Sequence, residues 1–219
     1  MRALKLTALI VLWYASAHTS AVQPPAATVA AALQKKYDTI REFSADFVQT
    51  YEGGVLKRKA TERGTVQVKK PSRMRWDYTS PEKKLFVSDG KTMYLYWPAD
   101  NQVMENPVPP DDQATTAVLF LAGKGSLTRD FTISYADGGA ADRYTLKLQP
   151  KLPEHDYDWL VIAVDRESLQ IRSLMAADAQ GGRSTYEFTN FKENPGLPDK
   201  NFTFKIPRGA DVIKGSPSR

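Results

Sequence analysis

From Thr61 onward the apolar residues of this chain recur with a period of two, in short runs that continue almost to its end. No other feature restricts the fold as much, because side chains that alternate between two faces belong to strands of a half-buried sheet. The first runs lie near Thr61–Val68, Arg73–Tyr78, Lys84–Ser88, Thr92–Trp97 and Gln102–Glu105. After an interruption come Phe131–Ala136, Arg143–Gln149, Trp159–Val164, Ile171–Ala177, Thr185–Phe191 and Phe202–Ile206. Turn chemistry is explicit at Asp89-Gly90, Asp137-Gly138-Gly139 and Gly181-Gly182. No long crossover helices separate the runs, so an antiparallel meander is predicted and parallel pairing is not.

Before the sheet, the spacing of Val29, Leu33, Tyr37, Ile40, Phe43 and Phe47 predicts one amphipathic helix from Ala26 to about Tyr51. Thr28 is its expected cap, and Gly53-Gly54 its end. The interruption carries Asn106-Pro107-Val108-Pro109-Pro110, then Asp111-Asp112 as the start of a short helix over Gln113 to Ala122, ended by Gly123. Within it Val118, Leu119, Phe120 and Leu121 are apolar all round, as suits a segment covered on both sides. Plain core at a barrel mouth and a lid over a ligand fit that block equally.

The faces of the strands differ. Arg73, Arg75 and Asp77 alternate with Met74, Trp76 and Tyr78, so one face of that run is wet, whereas Met93 to Trp97 and Trp159 to Val164 are apolar on both faces. A single sheet with helices on one side, or an open cavity lined by aromatics, accounts for such a mixture.

The N-terminus has the three-part pattern of an export signal: Arg2 and Lys5, an apolar run from Leu6 to Tyr14, then small residues ending at Ala21. The expected division is a signal peptide over residues 1–21 and one domain over 22–219, a length that suits a single core. Beyond the signal no apolar stretch is long enough to cross a bilayer. The chain holds no cysteine, so it folds without disulfides and lacks the residue on which lipidation would occur. A soluble, exported protein is expected.

Reactive groups are scarce. Once the signal leaves with His18, the remaining histidine is His155, in the loop Pro153-Glu154-His155-Asp156. No HExxH, zinc-ligand cluster or Walker sequence occurs, and Gly123-Lys124-Gly125-Ser126 lacks the pattern of a phosphate loop. Asp111-Asp112 is explained by the preference of helix N-termini for negative charge. A formal charge of +5, evenly scattered, does not describe a nucleic-acid surface. The expectation is therefore a non-enzyme with no catalytic residue, metal or cofactor.

The order of motifs resembles the outer-membrane lipoprotein carrier family, LolA. The resemblance is carried by Phe43-Ser44-Ala45-Asp46-Phe47-Val48-Gln49-Thr50, Gly64 to Pro71, Met74-Arg75-Trp76 and Ser80-Pro81. Its most specific stretch is Leu85-Phe86-Val87-Ser88-Asp89-Gly90-Lys91-Thr92-Met93-Tyr94-Leu95-Tyr96-Trp97-Pro98, and Arg183-Ser184-Thr185-Tyr186 and Phe202 to Gly209 resemble the family's closing strands. The resemblance implies an α+β fold: an incomplete, half-open antiparallel β-barrel, here of about eleven strands, with helices covering a hydrophobic cavity. It implies a periplasmic monomer that takes acylated lipoproteins from an inner-membrane ABC transporter and passes them to an outer-membrane acceptor. Trp76, Phe86, Met93, Leu95, Trp97, Val118, Leu119, Phe120 and Leu121 are the candidate cavity or lid residues, each of which ordinary core would also explain. Lys70 and Met74 are the candidate gate and partner contacts at the rim, Met74 as an exposed apolar contact or as the first inward residue of its strand. Lys70 stands where the family commonly has Arg, so a planar five-donor fork is replaced by a point charge.

A carrier of this kind must work by handover. Each buried methylene contributes about 0.8 kcal/mol, so several long acyl chains in water exceed the ceiling of roughly 18 to 21 kcal/mol on non-covalent affinity. Cargo therefore passes from one apolar cavity directly into the next. A sensor or regulatory domain on the same half-barrel is the alternative reading, and an enzyme on that scaffold a third.

Overall fold

The computed structural model describes residues 23–53, 58–109, 121, 123, 126–154 and 157–215. The expected signal peptide, Asp111 to Phe120 (including Val118, Leu119 and Phe120) and His155 lie outside them.

Among the described residues twelve strands form one sheet in the order β12-β6-β5-β4-β3-β2-β1-β11-β10-β9-β8-β7. In chain order these are β1 (Glu42–Glu52), β2 (Lys59–Lys69), β3 (Arg73–Ser80), β4 (Lys84–Asp89), β5 (Thr92–Trp97) and β6 (Gln102–Pro107), then β7 (Phe131–Tyr135), β8 (Arg143–Pro150), β9 (Trp159–Asp165), β10 (Ile171–Ala177), β11 (Arg183–Glu193) and β12 (Asp211–Lys214). The edge strands β7 and β12 do not pair, so the sheet stays open as a half-barrel. Helix α1 (Ala26–Thr39) and the one-turn α2 (Leu127–Asp130) lie over its inner face on the side of β7 and β8.

Pairing fixes which residues share that face. Phe47 lies opposite Phe188 and Gly64, Trp76 opposite Val66 and Phe86, and Leu174 opposite Tyr186 and Ile162. With Val29, Ala30, Leu33 and Tyr37 of α1 they make one continuous core. A second, smaller packing surface forms on the outer face, where Val87, Val103 and Phe202 are buried and the Phe204 ring meets Tyr94 at 5.2 Å and Tyr96 at 5.8 Å.

Three expectations are corrected. The predicted helix stops at Thr39, and Glu42–Glu52 is a strand. Phe43 and Phe47, four apart, fit either period, and the intervening Ala45 is buried with them, which is the alternation of a strand. The helix starts after Pro25 with no side-chain cap, so Thr28 lies in its first turn and does not cap it. Second, Phe202–Ile206 is not a strand: a 3-10 turn over Asp199–Phe202 leads into extended chain that lays Phe202 and Phe204 across the outer face. Its period-two pattern is satisfied by one sheet surface rather than by a ladder. Third, parallel pairing does occur, because β12 runs alongside β6 from Asp211/Gln102 to Lys214/Glu105. The intervening chain is long enough to cross the sheet and return in the same direction. Ile213 is therefore a strand residue.

Candidate functional site

The inner face is sealed at one side and half-open at the other. Under α1 its residues are buried, whereas on β4, β5 and β6 Phe86, Met93, Leu95, Trp97 and Met104 are only half-buried. Ladder positions bring them together: Trp76, Phe86, Leu95 and Met104 form one row across four strands, and Met74, Ser88 and Met93 form the next. Ile213 continues the first row on β12, beside Met104, and is 43% exposed. The sequence-predicted Trp76, Phe86, Met93, Leu95 and Trp97 thus share one face, and the both-sided apolarity of β5 is explained by Tyr94 and Tyr96 packing on the other. Met104 and Ile213 belong to the same surface and were missed. Alternation with Val103 and Val212 was their signal, in strands too short to make it prominent.

At one end of this face α1 meets the β2–β3 turn. Lys70 Nζ donates to the Tyr37 carbonyl at 2.5 Å and stands 3.4 Å above the Tyr37 ring. The Tyr37 hydroxyl donates to the carbonyl of Leu121, a fully buried helical residue. Gly123 follows at φ +86°, and a Cβ there would lie 3.0 Å from Lys70 Cδ. Burial pushes the Lys70 ammonium down to about 8, with the Asp38 carboxylate pulling the other way. Lys70 and Tyr37 together thereby join α1 and the turn to Leu121 and Gly123. A cleft of about 730 Å³ opens beside it, lined by Arg41, Glu42, Lys69, Lys70 and Asn194 among others. Its lining is mixed, with Ile40 and Pro71 among the polar groups, and none of the apolar row Phe86, Leu95 and Met104 belongs to it.

Met74 does not form an exposed rim contact. It is fully buried between Val68 and Ser88, inward-facing like Trp76, because the turn ends before Arg73 and the strand's alternation sends position 74 into the core. The opposite end of the inner face is polar. Lys84 Nζ bonds both Glu62 carboxylate oxygens at 2.7 Å, the Tyr78 hydroxyl donates to Gln49 Oε1 at 3.0 Å, and Gln49 Nε2 donates to Ser184 Oγ at 3.1 Å. Burial foremost pushes the Tyr78 and Tyr186 hydroxyls up, so both stay protonated donors.

Among the described residues no group of three or more His, Asp or Glu side chains is placed to hold a metal, and no helix is long and apolar enough to cross a membrane. The arrangement offers apolar surface bounded by satisfied polar groups. The family described as outer membrane lipoprotein carrier protein LolA matches residues 38–205. This chain belongs to the LolA family. An outer-membrane lipoprotein carrier protein of Chromohalobacter salexigens is 30% identical over 214 residues, spanning 98% of this chain and 99% of that one. Another, from Methylibium petroleiphilum, is 35% identical over 185 residues, covering 80% and 88%. An uncharacterised conserved protein of Thermus thermophilus superposes with a TM-score of 0.53 over 86% of this chain and 99% of its own, at 13% identity, a likeness of fold alone. The LolA family is a family of carriers rather than enzymes.

Proposed function

We propose that this protein is a periplasmic carrier that takes acylated lipoproteins from an inner-membrane ABC transporter and delivers them to an outer-membrane acceptor. One observation carries the reading: a LolA-family chain holds a half-buried apolar row, Phe86, Leu95 and Met104, on the inner face of an open sheet. Apolar surface left unfilled inside a fold is costly unless something is to occupy it. Phe86, Met93, Leu95 and Trp97 contact the acyl chains, Trp76 floors the site, and Lys70 holds the rim through α1. Affinity limits impose direct handover, so the carrier works as a monomer that docks first on one partner and then on the other. The test is isolation of the protein from periplasm depleted of the outer-membrane acceptor. Acylated lipoproteins are expected to accompany it in stoichiometric amounts, and their absence under that condition overturns the reading.

A further inference from the structure

We propose that the indole N–H of Trp76 binds an acyl carbonyl of the cargo, the ester or amide group at the head of a fatty chain. The inference deepens the carrier reading and rests on it.

Trp76 sits in the middle of the inner face, between Val66 on β2 and Phe86 on β4, and is 1% exposed. Its ring lies edge-on to Phe47 at 4.9 Å and Tyr186 at 5.3 Å, with Phe188 at 6.4 Å. Among the described residues its Nε1 meets no hydrogen-bond acceptor. A buried donor left unmade carries its full desolvation cost, and such groups are rare enough in folded proteins to need a reason. Phenylalanine would fill most of the slot and keep the aromatic contacts without that cost. The polar groups nearby are committed: Tyr78 to Gln49, Gln49 to Ser184, and Lys84 to Glu62. Among the described residues the indole is left as the donor without a protein partner, amid the rings of Phe47, Tyr186 and Phe188.

An acyl chain complements that arrangement. Its methylenes are alike, so an apolar groove by itself fixes no position along the chain. The carbonyl at its head accepts hydrogen bonds and donates none, and on a dry face it loses its water and requires a donor. One donor at the centre of the face sets where the head rests and sends the chain outward along Phe86, Leu95 and Met104. Because the ring is almost fully covered, the carbonyl reaches Nε1 only as the entering chain displaces side chains above it.

The test compares a long-chain monoacylglycerol, its 1-O-alkyl ether of equal length and an N-palmitoyl lipopeptide, each titrated by calorimetry into wild-type protein and Trp76→Phe. The wild type is expected to bind at least one carbonyl ligand roughly three- to tenfold more tightly than the ether. The Trp76 indole proton, followed by NMR of 15N-tryptophan protein, moves downfield with that ligand and not with the ether. Trp76→Phe is expected to lose the preference while its ligand-free melting temperature stays unchanged or rises. A shift with the monoacylglycerol assigns the ester, and one with the lipopeptide alone assigns the amide. Equal wild-type affinities with an unmoved indole resonance overturn the inference and leave the carrier reading standing. Failure of every probe to bind overturns the carrier reading itself. The wild-type measurements decide the matter even if Trp76→Phe does not fold.

Discussion

Lys70 is a cation held against a helix end and an aromatic ring, away from most of its water, and its titration is the cost of that position. In the unfolded chain it keeps its proton up to about the ordinary 10.5, whereas in the fold burial lowers it to about 8. Between those values the unfolded chain binds more protons, so the contribution of Lys70 to stability rises with pH across that window and is least favourable below it. Denaturant melts at pH 7 to 10 are expected to show wild-type stability gaining on Lys70→Met as pH increases, and a constant difference would refute the assignment. Met74 makes a different residue-scale prediction. A carboxylate at a fully buried position opposite Val68 and Ser88 loses its water, so Met74→Glu is expected to cost about 3 to 5 kcal/mol or prevent folding. Met74→Leu should cost less than about 1.5 kcal/mol. A folded Met74→Glu protein that fails only in cargo transfer would restore a docking role for this side chain.

At the scale of elements, the strands were legible where alternation and turn residues agreed. Runs from Thr61 to Phe191 fall on β2 to β11 because Gly90 and Gly181, at φ +97° and +78°, mark turns a sequence can display. The misread elements have one cause in common: apolar spacing reports that a face is covered, not by what. Phe43 and Phe47 suit helix and strand alike, and Phe202 and Phe204 bury themselves against a sheet without joining it. The site was legible to the same extent. A strand's period places Trp76, Phe86 and Leu95 on one side, but only ladder register brings them into a row with Met104. Register also exposes a constraint at Gly64, which lies where β2 shifts against β3. A Cβ there would approach the Asp77 carbonyl oxygen to 2.0 Å and the Phe47 ring to 2.9 Å. Since backbone cannot yield as a side-chain tip does, Gly64→Ala is expected to cost about 2 to 4 kcal/mol, measured by chemical denaturation. A neutral substitution would mean that β3 can move away from β2.

For the whole molecule, one sheet serves two purposes that the distribution of burial separates. The half bearing β7 to β11 and α1 is filled by its own side chains, and the part bearing β4 to β6 keeps apolar surface incompletely covered. Ligand that binds the folded state alone stabilises it by mass action, by about 2.7 kcal/mol at a hundred times its dissociation constant. For a domain of this size that corresponds to roughly 5 to 10 °C in melting temperature. A tripalmitoylated lipopeptide at saturating concentration is accordingly expected to raise the melting temperature of the wild type by that amount. Leu95→Asp introduces a charge at a half-buried place in the apolar row, so it should fold with modest loss and show little or no ligand-induced rise. Val161→Asp, a comparable change on the outer face of β9, should retain the whole rise. Loss of the rise in Val161→Asp with its retention in Leu95→Asp would place the cargo on the wrong face of the sheet, and with it the division of labour between the two halves would fail.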